Sequence, residues 1–260
     1  MTTDDRQSAA VRNPQATFRA QNGEDRWLDD YFDHKTQGFF VDVGAYNGVD
    51  LSNSYHFEQL GWTGVLIEPD PERGALCASS RPRSKTFQCA AVGSSEIREI
   101  SFHRVAAAGV YSTTNLTPDH ASRLKGMGVA ASEITVPART LDSILEEVGA
   151  SRVDFASIDV EGAEMSVLQG FDIRRWNPAI VVIESNSKVR SAQIRDYFVR
   201  NGYAYCHSID VNDFYRYMNA GPLWAWLVDR SRYASHRIAR RMARIASNLK
   251  RSWRKRNPLA

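Results

Sequence analysis

Four short apolar runs constrain this chain more than anything else in it: "GFFVDVG" at 38–44, "GVLIE" at 64–68, "VDFASID" at 153–159 and "AIVVIE" at 179–184. Each is nearly continuous rather than alternating, the pattern of strands covered on both faces, as in a parallel sheet. Helical patterns lie between them. In "TLDSILEEVG", Leu141, Ile144, Leu145 and Val148 form one stripe, with Thr140 as N-cap and Gly149 just past the end. In "EPDPERGALC", Asp70 is placed to cap a helix whose first residue is Pro71, where the missing N–H costs nothing. "EGAEMSVLQG" reads as a helix starting directly after its strand and stopping at Gly170, and "SAQIRDYFVRNGY" as another ending at Asn201-Gly202. Upstream, Trp27, Leu28, Tyr31 and Phe32 have helical spacing. Strands alternating with helices imply right-handed crossovers and an open, mostly parallel α/β sheet with helices on both faces.

Two segments break that rhythm. Residues 94–138 read as an insertion: "IREISFHRV" and "ITVPAR" suit short strands, and the polar "YSTTNLTPDHASRLKGMGVAASE" between them a loop over the substrate. The C-terminal 216–260 reads as a basic amphipathic segment. Eleven Lys/Arg and no Asp/Glu fall from Arg230 onward, so residues 1–229 carry a net charge of −8. Ile238, Met242, Ile245, Leu249 and Trp253 make one apolar stripe there, with arginines on the other faces. Such a helix suits either docking on the acidic body or an anionic membrane surface; nucleic acid ranks last, because the body carries no matching motif. Residues 1–16 are polar and aperiodic and read as a disordered lead-in, leaving 17–215 as the folded domain. With no signal-like N-terminus, and with Cys77, Cys89 and Cys206 lacking metal-ligand spacing, the expectation is a reduced cytoplasmic protein, peripheral to the membrane if the tail binds lipid.

The turn after the first strand narrows the ligand. A dinucleotide fingerprint asks for glycines at its first, third and sixth positions, where this chain offers Asp42, Gly44 and Asn47. What remains is Asp42-x-Gly44-x-x-x-Gly48, followed by a strand ending in Glu68. Gly44 lets backbone approach a ligand closely. Asp42 supplies a carboxylate, and Glu68 stands where an acid accepts hydrogen bonds from ribose hydroxyls.

This arrangement resembles the first two motifs of S-adenosylmethionine-dependent methyltransferases. Further, "QNGEDRWL", "GFFVDVGAYNGVDLSNSYHFEQLGWTGVLIEPDP", "CAAVGS", "RTLDSIL", "IDVEGAEMSVLQGF" and "IVVIESN" stand in the order seen in FkbM-type methyltransferases. The resemblance covers roughly residues 20–203. It implies a class I, Rossmann-like fold and transfer of a methyl group to a hydroxyl of a sugar, glycolipid or related natural product. It implies that Asp42, Gly44, Ala45, Gly48, Ser52, Asn53, Glu68 and Pro69 frame the cofactor, that Cys89 and Ala90 border its adenine, and that Asp159, Glu161, Gly162 and Glu164 form the motif after the fourth strand. Many relatives carry His where this chain has Tyr46.

A hydroxyl is a poor nucleophile at neutral pH, so a base or a metal should assist it. Asp159 and Glu184 end two strands on the ligand side of the sheet and face one site if those strands are neighbours. Asp159 is the leading base or ligand, with Glu161 and Glu184 as further catalytic candidates and Asp159 and Glu184 as candidate magnesium ligands. Glu161 and Glu164, three apart, share a helix face on this reading, and Glu164 suits the macrodipole. His56 reads as structural. His103, His120 and His207 stand in or beside loops within reach of an acceptor. Tyr111, Ser112, Thr113 and Asn115 suit hydrogen bonding to a polyhydroxylated acceptor. Two other readings stay open: a methyltransferase-like protein that binds without turnover, and a nicotinamide-dependent dehydrogenase, which the missing glycines disfavour.

Overall fold

A computed structural model of the chain describes residues 17–185 and 188–218. The expected lead-in over 1–16, and the basic segment beyond residue 218, lie outside the described residues.

In chain order the elements are α1 (Glu24–Tyr31), β1 (Phe39–Val43), α2 (Tyr55–Leu60), β2 (Thr63–Ile67), α3 (Pro71–Ser80), β3 (Ser84–Phe87), β4 (Ala90–Ala91), β5 (Glu99–Arg104), a 3-10 turn (Ala106–Tyr111), α4 (Pro118–Gly126), β6 (Ser132–Arg139), α5 (Leu141–Glu147), β7 (Phe155–Ile158), α6 (Glu164–Gln169), α7 (Ile173–Trp176), β8 (Ile180–Glu184), α8 (Lys188–Arg200), β9 (Tyr203–Ile209) and β10 (Asn212–Tyr217). The seven-stranded sheet runs β3-β2-β1-β7-β8-β10-β9. Its first five strands are mutually parallel and β10 is antiparallel to both neighbours. The four apolar runs are β1, β2, β7 and β8, all central. The strand order reverses between β1 and β7, which opens a crevice at their carboxyl ends.

Alternate residues of the central strands feed two cores. Val41, Val43, Val65, Ile67, Ala156, Ile158, Val181 and Ile183 pack with Leu141, Ile144 and Leu145 of α5, Val167 and Leu168 of α6, and Ile194 and Phe198 of α8. On the other face Phe40 and Phe155 lie 5.7 Å apart, and Phe155 meets Phe57 at 4.9 Å and Trp62 at 5.8 Å. Burying each such side chain is worth about 1.5–3 kcal/mol. The helix signals hold locally: Asp70 Oδ1 accepts from the amides of Glu72 and Arg73, Thr140 Oγ1 accepts from Ser143 N, and Gly149 has φ +65°.

Several elements were not read from sequence. β3 and β9, at the two edges of the sheet, carry polar residues on partly covered faces, while β10, between β8 and β9, carries Asn212, Asp213 and Arg216 beside buried Phe214 and Tyr215. β10 runs to Tyr217, past the expected domain end at 215. Within the insertion, β5 and β6 pair antiparallel, and β4 joins β6 to complete a three-stranded sheet. The polar stretch expected as loop contains α4, which begins at Pro118 and buries Leu124. The helix after β7 does not start directly: residues 159–163 form a turn with Glu161 at φ +51° and Gly162 at +109°.

Candidate functional site

A cavity of about 400 Å³ occupies the crevice at the carboxyl ends of the central strands. One wall is the β1–α2 loop. A Cβ at Gly44 (φ +83°) would stand 1.8 Å from the carbonyl oxygen of Asp159, so glycine is required where β1 meets the turn after β7. Gly44 also lines the cavity, so the close contact with Asp159 adds a second reason for glycine to the expected approach of a ligand. Asp42 accepts from Ser54 Oγ at 2.5 Å and from Ser52 Oγ at 3.4 Å. Fully buried Arg81 donates to Gly48 O (2.7 Å), Ser54 O (3.2 Å), Ser54 Oγ (3.1 Å) and Glu58 Oε2 (2.9 Å). Burial raises the Asp42 carboxyl above its usual range, against the lowering effects of Ser54 and Arg81. Asn53 crosses to β7, its Nδ2 donating to Ser157 Oγ at 3.0 Å.

Glu68, just beyond β2, is held by two backbone amides: Tyr46 N to Oε2 and Asp70 N to Oε1, both 2.9 Å. Burial pushes its carboxyl up to about 7, with those amides opposing the rise. Each oxygen has a further lone pair, so the carboxylate can also accept from a ligand diol.

Across the crevice Asp159, Glu161 and Glu184 converge, with one carboxylate oxygen from each within 4.8 Å of the others. Parallel pairing of β7 with β8 makes Asp159 and Glu184 neighbours, and the left-handed backbone at Glu161 adds the third. Asp159 is open to the cavity yet enclosed by protein. Its carboxyl is pushed up to about 7, first by burial and then by the charges of Glu161, Glu164, Asp42 and Glu24. This set resembles an oxygen-ligand site for a hard cation as well as a raised-pKa base.

The insertion supplies a further wall through Phe102, Tyr111, Thr113 and Arg123. Thr113 Oγ1 donates to Glu161 O (3.0 Å) and Asn115 Nδ2 to Gly162 O (3.1 Å), tying this segment to the turn after β7. The Arg123 guanidinium lies over the Tyr111 ring at 4.5 Å.

Of the residues expected around the cofactor, Asp42, Gly44, Ala45, Ser52, Asn53, Glu68, Pro69, Ala90 and Asp159 line this cavity. Gly48 does not. A Cβ there would press on Arg81, Ser80 and Cys77, so it serves packing of the loop on α3. Cys89 does not either; it is 2% exposed in the core, and burial pushes its thiol up to about 11. Glu161 is a turn residue rather than a helix-face partner of Glu164, which is buried at the start of α6 and accepts from Gly162 N at 2.8 Å. His56 is structural: fully buried, it stacks on Phe18 and lies 3.4 Å from Asp29. His207 stacks on Trp27, away from the lining, and His103 pairs its backbone with Thr113. His120 falls on α4. Reading the sequence missed Gln21, Glu24 and Asn212, which also line the cavity; Asn212 Nδ2 donates to buried Glu24 Oε1 at 3.0 Å. The motif "QNGEDRWL" was the available signal, though a partner 188 residues away is invisible to local pattern.

The fold is similar to two solved methyltransferases. A TehB-like SAM-dependent methyltransferase from Corynebacterium glutamicum is 11% identical, with 82% of this chain and 97% of that one covered and a TM-score of 0.41. An O-methyltransferase from Bacillus cereus, in complex with SAH, is 8% identical over 83% of this chain and 90% of that one, with a TM-score of 0.41. No curated protein matches the sequence. The profile of the FkbM methyltransferase domain matches residues 42–205, which takes in both walls of the crevice from Asp42 to Glu184. With the strand order and the acid-ended β2, that match leads to one conclusion: the chain belongs to the FkbM methyltransferase family, on a class I SAM-dependent methyltransferase fold.

Proposed function

We propose that the protein is an S-adenosylmethionine-dependent O-methyltransferase acting on a hydroxyl of a sugar, glycolipid or related natural product. The observation that carries this reading is the meeting, around one cavity, of Glu68 on the β2 side with Asp159, Glu161 and Glu184 on the β7–β8 side. The residues present fit the cofactor: an acid-rich lining suits a sulfonium and an ammonium, and Glu68 retains acceptor capacity for a ribose diol. Bound there, S-adenosylmethionine supplies an electrophilic methyl group.

The chain's own part is positioning and proton handling. The β1–α2 loop and Glu68 hold the donor in near-attack geometry. Asp159, with a carboxyl raised toward neutrality, accepts the proton of the attacking hydroxyl. Glu161 and Glu164 keep that carboxyl basic, Glu161 and Glu184 orient the acceptor, and the insertion excludes water. Magnesium on Asp159, Glu161 and Glu184 is the variant of this reading that their all-oxygen chemistry favours.

Calorimetry should detect S-adenosylmethionine or its demethylated product and no NAD. Mass spectrometry after incubation with labelled donor and a glycolipid extract should find a methylated product, and a chelator separates the metal-free from the magnesium mechanism. Donor binding without any methylated product would leave the non-catalytic alternative standing.

No helix among the described residues is long and apolar enough to cross a membrane. The basic C-terminal stripe provides a different route to a lipid-linked acceptor, by binding the anionic face of the cytoplasmic membrane. Deleting residues from 230 onward should abolish co-sedimentation with phosphatidylglycerol vesicles and leave cofactor affinity intact. A lowered melting temperature with no vesicle binding by the intact chain would assign the tail to the body instead.

A further inference from the structure

Arg73 is not in the cavity lining, and sequence analysis assigned it no role beyond a place in the α3 helix, yet it joins three parts of the site. Its guanidinium lies over the Tyr46 ring, 4.2 Å from the centroid. A Cβ added at Gly109, in the 3-10 turn of the insertion, would fall 1.9 Å from Arg73 Nη2 and 2.1 Å from its Cζ, so the guanidinium fills the space a side chain would need. The ion pair with Asp70 is long, 3.8 Å from Nε to Oδ2, and Nε makes no hydrogen bond. Packing against the Tyr46 ring and beside Gly109, rather than a tight charge pair, therefore holds the side chain.

What lies at either end gives this meaning. Tyr46 lines the cavity, and its amide donates to Glu68 Oε2, while Asp70 N donates to Oε1. Arg104 of β5 donates from Nε to Asp70 Oδ2 at 2.7 Å and also pairs with Glu72. Both amides that orient the Glu68 carboxylate thus belong to residues gripped by arginines that touch or belong to the insertion.

We propose that Arg73 and Tyr46 are positioning residues for the donor, linking the docked insertion to the Glu68 carboxylate, so that donor binding and insertion docking reinforce one another. The inference rests on the proposed donor site. Tyr46 has φ +56°, a strain that any non-glycine residue shares, so Ala and Phe there differ only in the ring.

The test is calorimetric titration of the full chain with S-adenosylhomocysteine, with thermal unfolding recorded for each variant without ligand. Arg73→Ala, Arg73→Lys, Tyr46→Ala and Gly109→Ala should each weaken affinity about tenfold, and Tyr46→Phe, which keeps the ring, should lose less than Tyr46→Ala. Arg73→Ala combined with Gly109→Ala should be no weaker than either alone, because both remove one contact. Wild-type affinity in Arg73→Ala, full retention in Arg73→Lys, or multiplied losses in the double variant would each overturn the link. Should a variant unfold early, the Tyr46→Phe against Tyr46→Ala contrast decides alone: equal affinities overturn the proposal. A wild-type chain that fails to bind would instead sink the donor reading itself.

Discussion

On the β1–β2 side of the crevice Asp42 and Glu68 are held by serine hydroxyls and backbone amides, whereas on the β7–β8 side three carboxylates approach one another. Asp42 is satisfied by Ser54 and backed by Arg81, and Glu68 by two amides. Asp159 is crowded by Glu161 and Glu164 and raised to about 7. The first arrangement stabilises a loop and fixes a shape. The second opposes folding, and what it yields is a carboxyl able to take a proton near neutral pH. One side is built to hold, the other to react.

Arg81 provides the harshest way to break this contrast. Arg81→Ala leaves Glu58 and Asp42 buried without their cation, and should cost about 3–5 kcal/mol in urea denaturation. Next comes Asp159→Asn, which keeps shape but removes basicity. It should lower turnover about 10²–10³-fold while leaving cofactor affinity and stability near wild type. If it destabilises as much as the Arg81 change, the two sides are not different in kind.

Smaller effects sharpen the donor side. Glu68→Ala should weaken cofactor binding by about 1.5–3 kcal/mol in calorimetry, as expected for hydrogen bonds to a charged group. Equal affinity would remove Glu68 from the donor site.

The smallest is a pH effect with a definite sign. Between the ordinary glutamate value of 4.5 and about 7, the folded state keeps a proton on Glu68 that the unfolded chain has lost. Stability from this group is therefore present below 4.5 and declines as pH rises through 7. Wild type minus Glu68→Gln should show that decline in melting temperature. Affinity for the donor product should move oppositely, tightening as the carboxylate ionises. A flat difference curve would mean that the buried carboxylate does not titrate there.

Particular residues show how far the sequence reaches. Strands β1, β2, β7 and β8 were legible because burial on both faces demands unbroken apolar runs, and Asp70, Thr140 and Gly149 because caps act within one turn. The edge strands β3 and β9 and helix α4 were not, since partly covered faces tolerate polar residues that look like loop, and β10 was not because Asn212, Asp213 and Arg216 interrupt its buried run. Gly48 and Cys89 were expected at the cofactor by motif, but neither lines the cavity: Gly48 packs on α3 and Cys89 is buried in the core.

The sequence by itself determined the α/β alternation, the acid at the end of β2 and the pairing of two acid-ended strands, because each follows from local periodicity or from what a strand end presents. Tertiary structure alone decided that Glu161 joins them through a left-handed turn, that Arg81 neutralises the loop beneath Asp42, and that Glu24 meets Asn212. Those outcomes depend on which distant segments share a crevice, and contact between residues far apart in the chain leaves no period to read.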